Sequence, residues 1–256
     1  DIILFSIIFF TFFSSFFIFQ ILLLSISIIL KLYPLILSFI WMKNIRDILI
    51  FTFIIFLILI FNFNEIQYFM ANTSSSYSSG YVYGIKSILN GYPKALSRLN
   101  VDFSNYLKLD YLVYLLLILS IFFTFLFGLK QKIKISSNQY LTLDEKLFLS
   151  GSTIYVFTFI LFSNYDYRLI FLFLTLPYLS QKIILYKDYF FLLSMVISIN
   201  SLLIFKFANE PMHYLILGSF IHLFKIYIFI YLIFNISQII KRNLNFLPFK
   251  IFKFFV

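Results

Sequence analysis

The chain has 256 residues, of which 62% are hydrophobic, 23% aromatic and only 12% charged. Soluble domains carry about 25% charged residues, so this composition excludes an ordinary soluble enzyme and predicts a surface buried in lipid. The 20 basic and 10 acidic residues give a formal charge of +10, which we assign to cytoplasmic loops of a membrane protein rather than to a nucleic-acid partner.

Cysteine is absent and the chain has only two histidines. This excludes disulfides and thiolate sites and leaves too few ligands for a His-rich metal cluster. We therefore expect no metal and no cofactor. The chain begins with Asp1 inside an apolar run, so we expect a fragment that lacks its N-terminal part. The abundance of Phe, Ile, Tyr and Asn is typical of an AT-rich genome.

The apolar runs predict an all-α fold, a polytopic transmembrane bundle of about seven helices (six to eight), in one integral membrane domain over 1–256. The predicted spans are 3–28, 48–63, 111–129, 147–162, 169–185, 189–205 and 214–234. In the first run, Pro34 begins a short interfacial helix after Lys31. A hairpin of two short spans within 2–42 is the alternative.

Two local patterns refine these boundaries. Thr142 with Glu145 fits a capping box that opens the fourth span. Pro177 lies inside the fifth span, where we expect a kink that frees a backbone carbonyl.

Between the second and third spans lies a polar, serine-rich segment, 64–109, which we predict to be a non-cytoplasmic loop domain. The alternating loops hold twelve Lys and Arg residues on the predicted inner side and six on the outer side. This asymmetry places 64–109 and 164–168 together on the non-cytoplasmic side. Glu210 and His213 are expected on the same side.

The polar segment Asn164-Tyr165-Asp166-Tyr167-Arg168 lies between two apolar runs, at a predicted turn. Arg168 can bind a phosphate or carboxylate through two parallel hydrogen bonds, and Asp166 can act as a general base. Alternatively the two side chains pair and fix the turn. Further candidates are the Glu210–His213 pair, as a second acid or proton relay. His222 and Lys225 share a face of the last span and either line a cavity or contact lipid.

The stretch Leu161-Phe162-Ser163-Asn164-Tyr165-Asp166-Tyr167-Arg168-Leu169-Ile170-Phe171-Leu172, followed by Pro177, resembles a segment of bacterial polytopic glycosyltransferase-like proteins that use lipid-linked sugars. The resemblance implies an enzyme of cell-envelope glycan synthesis in the bacterial inner membrane, with a polyprenyl-phosphate sugar as substrate. It implies a lipid-phosphate or glycan site at Asn164, Asp166, Tyr167 and Arg168. In such enzymes the catalytic acid lies in the first outer loop, in a region that we expect this chain to lack.

Within the chain, the acids that can serve as catalytic base are Asp166 and three residues of the outer loop domain, Glu65, Asp102 and Asp110. Membrane lipids and membrane proteins are the other expected partners. Two other hypotheses remain open: a non-catalytic subunit of an organellar respiratory complex, and a transporter. No internal repeat favours the transporter.

Overall fold

In the computed structural model the described residues are 2–14, 17–30, 50, 53, 56–57, 60–61, 82–83, 107–132, 141–161, 164–181, 186–205 and 211–243. In chain order the helices are α1 (Ile2–Phe13), α2 (Phe17–Leu30), α3 (Leu107–Lys130), α4 (Leu143–Leu161), a 3-10 helix (Asp166–Thr175), α5 (Leu176–Ser180), α6 (Tyr186–Ile199), α7 (Ser201–Phe205) and α8 (Pro211–Arg242). Two short strands, β1 (Val82–Tyr83) and β2 (Asn164–Tyr165), form an antiparallel pair.

The longest of these helices, α8, is the one on which α3, α4, α6 and α7 pack. Its apolar part, Ile216–Arg242, has a mean hydropathy of 2.0 and is the one helix in the described residues that is long and apolar enough to cross a membrane. At 1.5 Å per residue, 27 residues reach about 40 Å, more than the roughly 30 Å of a bilayer core. The helical fold is therefore confirmed, while the number of membrane crossings stays a prediction.

The directions of the helices follow from their contacts. Glu145 at the start of α4 binds Arg242 at the end of α8, and Phe159 near the end of α4 stacks on Phe229, closer to the middle of α8, so these two helices are antiparallel. Lys241 donates from Nζ to the carbonyl oxygen of Leu129 over 2.6 Å, which brings the ends of α3 and α8 together. We call this part of the bundle the Arg242 end.

The first apolar run departs from the prediction of one span over 3–28. It is divided into α1 and α2, which pack against each other. The break follows Phe13, where Ser14 and Ser15 stand in sequence and the Gln20 amide donates to the Ser14 carbonyl oxygen over 2.6 Å. Serine pairs are a common cause of sharp helix bends. The residues of the predicted interfacial helix, 34–42, lie outside the described part of the chain.

The predicted second span is described only at isolated positions. These positions are helical, and they are Ile50, Phe53, Phe56, Leu57, Ile60 and Phe61. Within the described part of the later spans, α3 matches its prediction closely but begins four residues earlier. Asp110 therefore lies in the first turn of α3 and not in the preceding loop, where a carboxylate is favoured by the helix dipole.

The fifth predicted span was wrong in its helix type and its end. Asp166 and Arg168 begin a ten-residue 3-10 helix rather than occupying a turn, and α5 ends at Ser180 instead of 185. Pro177 is in the first turn of α5, where its missing N–H costs least, so it does not kink a longer helix. A 3-10 helix rises about 2.0 Å per residue against 1.5 Å in an α-helix. The two segments together therefore extend about 27 Å.

The two last predicted spans are helical with other limits. The sixth is interrupted at Asn200, between α6 and α7. There the Asn200 side chain donates to the carbonyl oxygen of Val196 over 2.8 Å. The seventh, α8, is longer than predicted at both ends: His213 is in its first turn rather than in a loop, and Arg242 is in its last turn.

Gly151 lets α4 and the 3-10 helix approach closely. A Cβ atom at this position would overlap the backbone carbonyl oxygen of Phe171 and press on Leu174 and Thr175. Close approach through small residues is a frequent basis of helix packing where lipid replaces water as the solvent.

We predict that Gly151→Ala destabilises the protein by about 1–3 kcal/mol, because the backbone of the 3-10 helix must move away. Ser152→Ala is the control, since it removes one hydroxyl bonded within α4 to the Phe148 carbonyl oxygen and adds no volume. Thermal unfolding in detergent, followed by circular dichroism, gives the comparison. Equal melting temperatures for the two variants would refute the close-packing account.

Candidate functional site

A lysine with no exposed surface lies inside the bundle, in the middle of α8. Lys225 is 0% exposed and His222, one turn earlier, is 9% exposed. The Tyr155 hydroxyl of α4 donates to the Lys225 carbonyl oxygen over 2.9 Å. Neither side chain faces outward, so the sequence alternative of lipid contact is excluded and the pair belongs to the bundle interior.

The polar segment that follows α4 begins a few residues after a contact between α4 and α8. The Phe159 ring stacks on Phe229 of α8, with ring centroids 4.6 Å apart, and β2 begins five residues later, at Asn164. Five residues span at most about 18 Å of chain. Lys225 is one turn of α8 from Phe229, about 6 Å toward the start of that helix. The segment 164–168 and the Lys225 turn therefore belong to the same half of the bundle.

A strand of the predicted loop domain is attached to this segment. Val82 pairs with Tyr165, and Tyr83 pairs with Asn164. Two parts of the chain that the sequence expected on one face, 64–109 and 164–168, are thus joined by backbone pairing. Asp166 and Arg168 follow directly in the first turn of the 3-10 helix. We call Lys225, His222 and the segment 164–168 the Lys225 site.

The other candidate residues are less closely connected with this site. His213 is exposed in the first turn of α8, nine residues before His222, which corresponds to about 14 Å along the helix. Asp110 is in the first turn of α3. Glu65, Asp102 and Glu210 lie outside the described residues. Their proposed roles as acids or bases stay predictions.

At the opposite end of the bundle a buried carboxylate forms a network that the sequence revealed only in part. The capping box is confirmed: the Thr142 N–H donates to Glu145 Oε2 over 2.9 Å, and the Glu145 N–H donates to Thr142 Oγ1 over 3.3 Å. Glu145 is 2% exposed. Its Oε1 also accepts bonds from the Arg242 guanidinium and, over 2.9 Å, from Asn243 Nδ2. The guanidinium lies over the Tyr178 ring, 5.8 Å from its centroid.

A third polar contact inside the bundle links α6 and α8. The Tyr231 hydroxyl donates to Asp188 Oδ1 over 2.6 Å, and Asp188 is 6% exposed. The Phe191 ring stacks on the same tyrosine with centroids 4.4 Å apart. Because Asp188 and Tyr231 are 43 residues apart in sequence, no local sequence pattern predicts this contact.

These geometries differ in what they can do chemically. Glu145 has its bonding capacity largely occupied by groups that hold helix ends together, so we assign it a structural role. The Lys225 site combines a buried cation with a polar segment that carries an acid and a second cation in sequence. Such an arrangement suits binding of an anion and proton transfer to or from it. Within the described residues no group of three or more His, Asp or Glu side chains could hold a metal ion.

Comparisons with protein-family models, with curated proteins and with solved structures found no match to this chain. The functional argument therefore rests on the residues and their geometry.

We predict that Glu145→Gln destabilises the fold by about 1–3 kcal/mol, because the new amide places a donor against Arg242 and Asn243. Asp144→Asn is the matched control, since Asp144 is in the same first turn and its carboxylate accepts a hydrogen bond from the exposed Gln181 amide. Thermal unfolding in detergent measures both. A loss for Asp144→Asn as large as that for Glu145→Gln would show that helix-dipole charge, and not the network, stabilises this end.

Proposed function

We propose that this chain is a polytopic membrane protein, part of a glycosyltransferase-like enzyme, that binds the phosphate of a lipid-linked sugar at the Lys225 site. The observation that carries the proposal is a buried lysine in the half of the bundle that also contains a polar segment paired with a loop strand. Ionisable residues inside a membrane bundle are expensive and are functional candidates by default.

Membrane placement is supported by the distribution of apolar and polar side chains. Large apolar residues are exposed along the helices, among them Phe10, Ile18, Phe123 and Leu223, each more than 60% exposed. Polar side chains such as Thr158, Ser198 and Asn235 are buried. Soluble proteins rarely expose apolar patches of such extent, whereas a bundle in lipid faces its apolar side chains outward and bonds its polar groups internally.

In the proposed reaction the cations and the acid of the site have different roles. Lys225 and Arg168 would neutralise the phosphate of the leaving group, and Asp166 or an acid of the loop domain would accept the proton of the acceptor hydroxyl. The pairing of β1 with β2 supports a role for an acid of the loop domain, because it joins a segment of that domain to the strand just before Asp166. That the transferred group is a sugar is inferred from the sequence resemblance.

Binding of a polyprenyl phosphate tests the site directly. We expect Lys225→Gln and Arg168→Gln each to weaken binding by about tenfold or more, because a charge-assisted hydrogen bond contributes about 1.5–3 kcal/mol. Native mass spectrometry of the detergent-solubilised protein with added polyprenyl phosphate measures the bound fraction. Lys132→Gln is the matched control, since Lys132 is exposed just beyond the end of α3.

Melting temperatures recorded in parallel separate a lost contact from a lost fold, and Lys225→Met, which keeps the apolar stem, serves as a second variant. Unchanged affinity for polyprenyl phosphate in folded Lys225 and Arg168 variants would overturn the proposed site.

Arg168→Ala should also abolish sugar transfer while leaving the protein inserted in the membrane. A stable stoichiometric complex with other membrane proteins and no lipid-phosphate binding would favour the subunit hypothesis instead.

The absence of cysteine from the chain allows a clean test of membrane placement. We expect His213→Cys to react with a membrane-impermeant maleimide in intact bacterial cells, and Lys132→Cys to react only after permeabilisation, because both positions are exposed at opposite ends of the bundle. Equal labelling of the two variants in intact cells would contradict the crossing of the membrane by the bundle.

A further inference from the structure

A groove runs between α3 and α8 on the outer surface of the bundle. It has a volume of about 700 Å³ and is lined by apolar and aromatic side chains, including Phe123 and Phe127 of α3 and Tyr227, Ile230 and Phe234 of α8. Ligand sites have volumes of about 300–1,000 Å³, so the space is large enough for part of a lipid chain.

The groove lies beside the packing contact of α3 with α8, where the two helices approach closely at Gly128. At Gly128 a Cβ atom would overlap Ser237 and the backbone of Phe234. The two helices are parallel, as the contact of Gly128 with Ser237 and that of Leu129 with Lys241 show. Side chains from Phe123 to Lys130 of α3 and from Tyr227 to Phe234 of α8 form the walls of the groove.

The end of the groove nearest Gly128 and the end of α3 is basic. Lys130, the last residue of α3, lines the groove and is exposed. The Lys241 ammonium lies 2.6 Å from the carbonyl oxygen of Leu129, the residue before Lys130. Phe123 and Phe127, on the same wall as Lys130, are more than 60% exposed. Over the seven residues from Phe123 to Lys130 the surface thus changes from aromatic to cationic within about 10 Å.

We propose that this groove binds an anionic phospholipid of the surrounding membrane, with the acyl chain against the aromatic walls and the headgroup phosphate at Lys130 and Lys241. The charge at one end and the apolar walls along the rest match the two parts of such a lipid. The site is separate from the Lys225 site and shares with the proposed function only the placement in a membrane.

The test uses a fluorescent reporter in the full chain. Phe127→Trp is made in a Trp41→Phe background, since Trp41 is the single tryptophan, and the protein is reconstituted into vesicles of phosphatidylcholine or phosphatidylglycerol with brominated acyl chains. Quenching of the tryptophan gives the relative binding constants of the two lipids at the groove. We expect a preference for phosphatidylglycerol of about fivefold, which corresponds to the contribution of about 1 kcal/mol from one lysine near the surface, Lys130, since the Lys241 ammonium already donates to the Leu129 carbonyl oxygen.

Lys130→Gln should reduce this preference toward unity. Lys108→Gln is the matched control, because Lys108 is in the first turn of the same helix, about 33 Å away, and should leave the preference unchanged. Lys225→Gln should also leave it unchanged, which separates this site from the polyprenyl-phosphate site. Equal quenching by the two lipids, quenching by neither, or an unaltered preference in Lys130→Gln would each overturn the proposal.

Discussion

The carboxylate of Glu145 fixes the relation between α4 and α8. It is almost fully buried and accepts bonds from the Thr142 backbone, the Arg242 guanidinium and the Asn243 amide. The same two helices are also joined farther along, where the Tyr155 hydroxyl donates to the carbonyl oxygen of Lys225 and the Phe159 ring stacks on Phe229. The polar network at one end and these contacts toward the other together hold α4 against α8.

The 3-10 helix is the second constraint. Ten residues in this form are unusual, since runs beyond three or four are uncommon. The greater rise per residue lets a short segment return along nearly the whole of α4, which explains how the chain passes from Asp166 to Ser180 without a longer α-helix. Gly151 makes the close packing of the two segments sterically acceptable. The packing of the 3-10 helix that begins at Asp166 therefore depends on a glycine well outside the proposed site.

Sequence patterns predicted the features that depend on local chemistry. The capping box at Thr142 and Glu145 and the helices over most of the described apolar runs follow from side-chain type and periodicity. The pairing of 82–83 with 164–165 joins two segments that were expected on one side of the membrane, and that side stays a prediction. The break after Phe13 and the 3-10 form of 166–175 were missed, because apolar content does not distinguish helix types. Contacts such as Asp188 with Tyr231 join residues distant in sequence and had no local signal. The same is true of Arg242 with Glu145.

The burial of Lys225 is the strongest indication of function because burying a charged side chain is energetically unfavourable. Removing an ammonium group from water carries an effective penalty of several kcal/mol even after the structure relaxes. A leucine or methionine would fill the same space in α8 without that penalty. Tyr155 bonds the backbone carbonyl of Lys225 and so links α4 to α8 at this depth. Ionisable residues inside a membrane bundle are costly and are functional candidates, and the proposed neutralisation of a phosphate is a role that uses the positive charge itself.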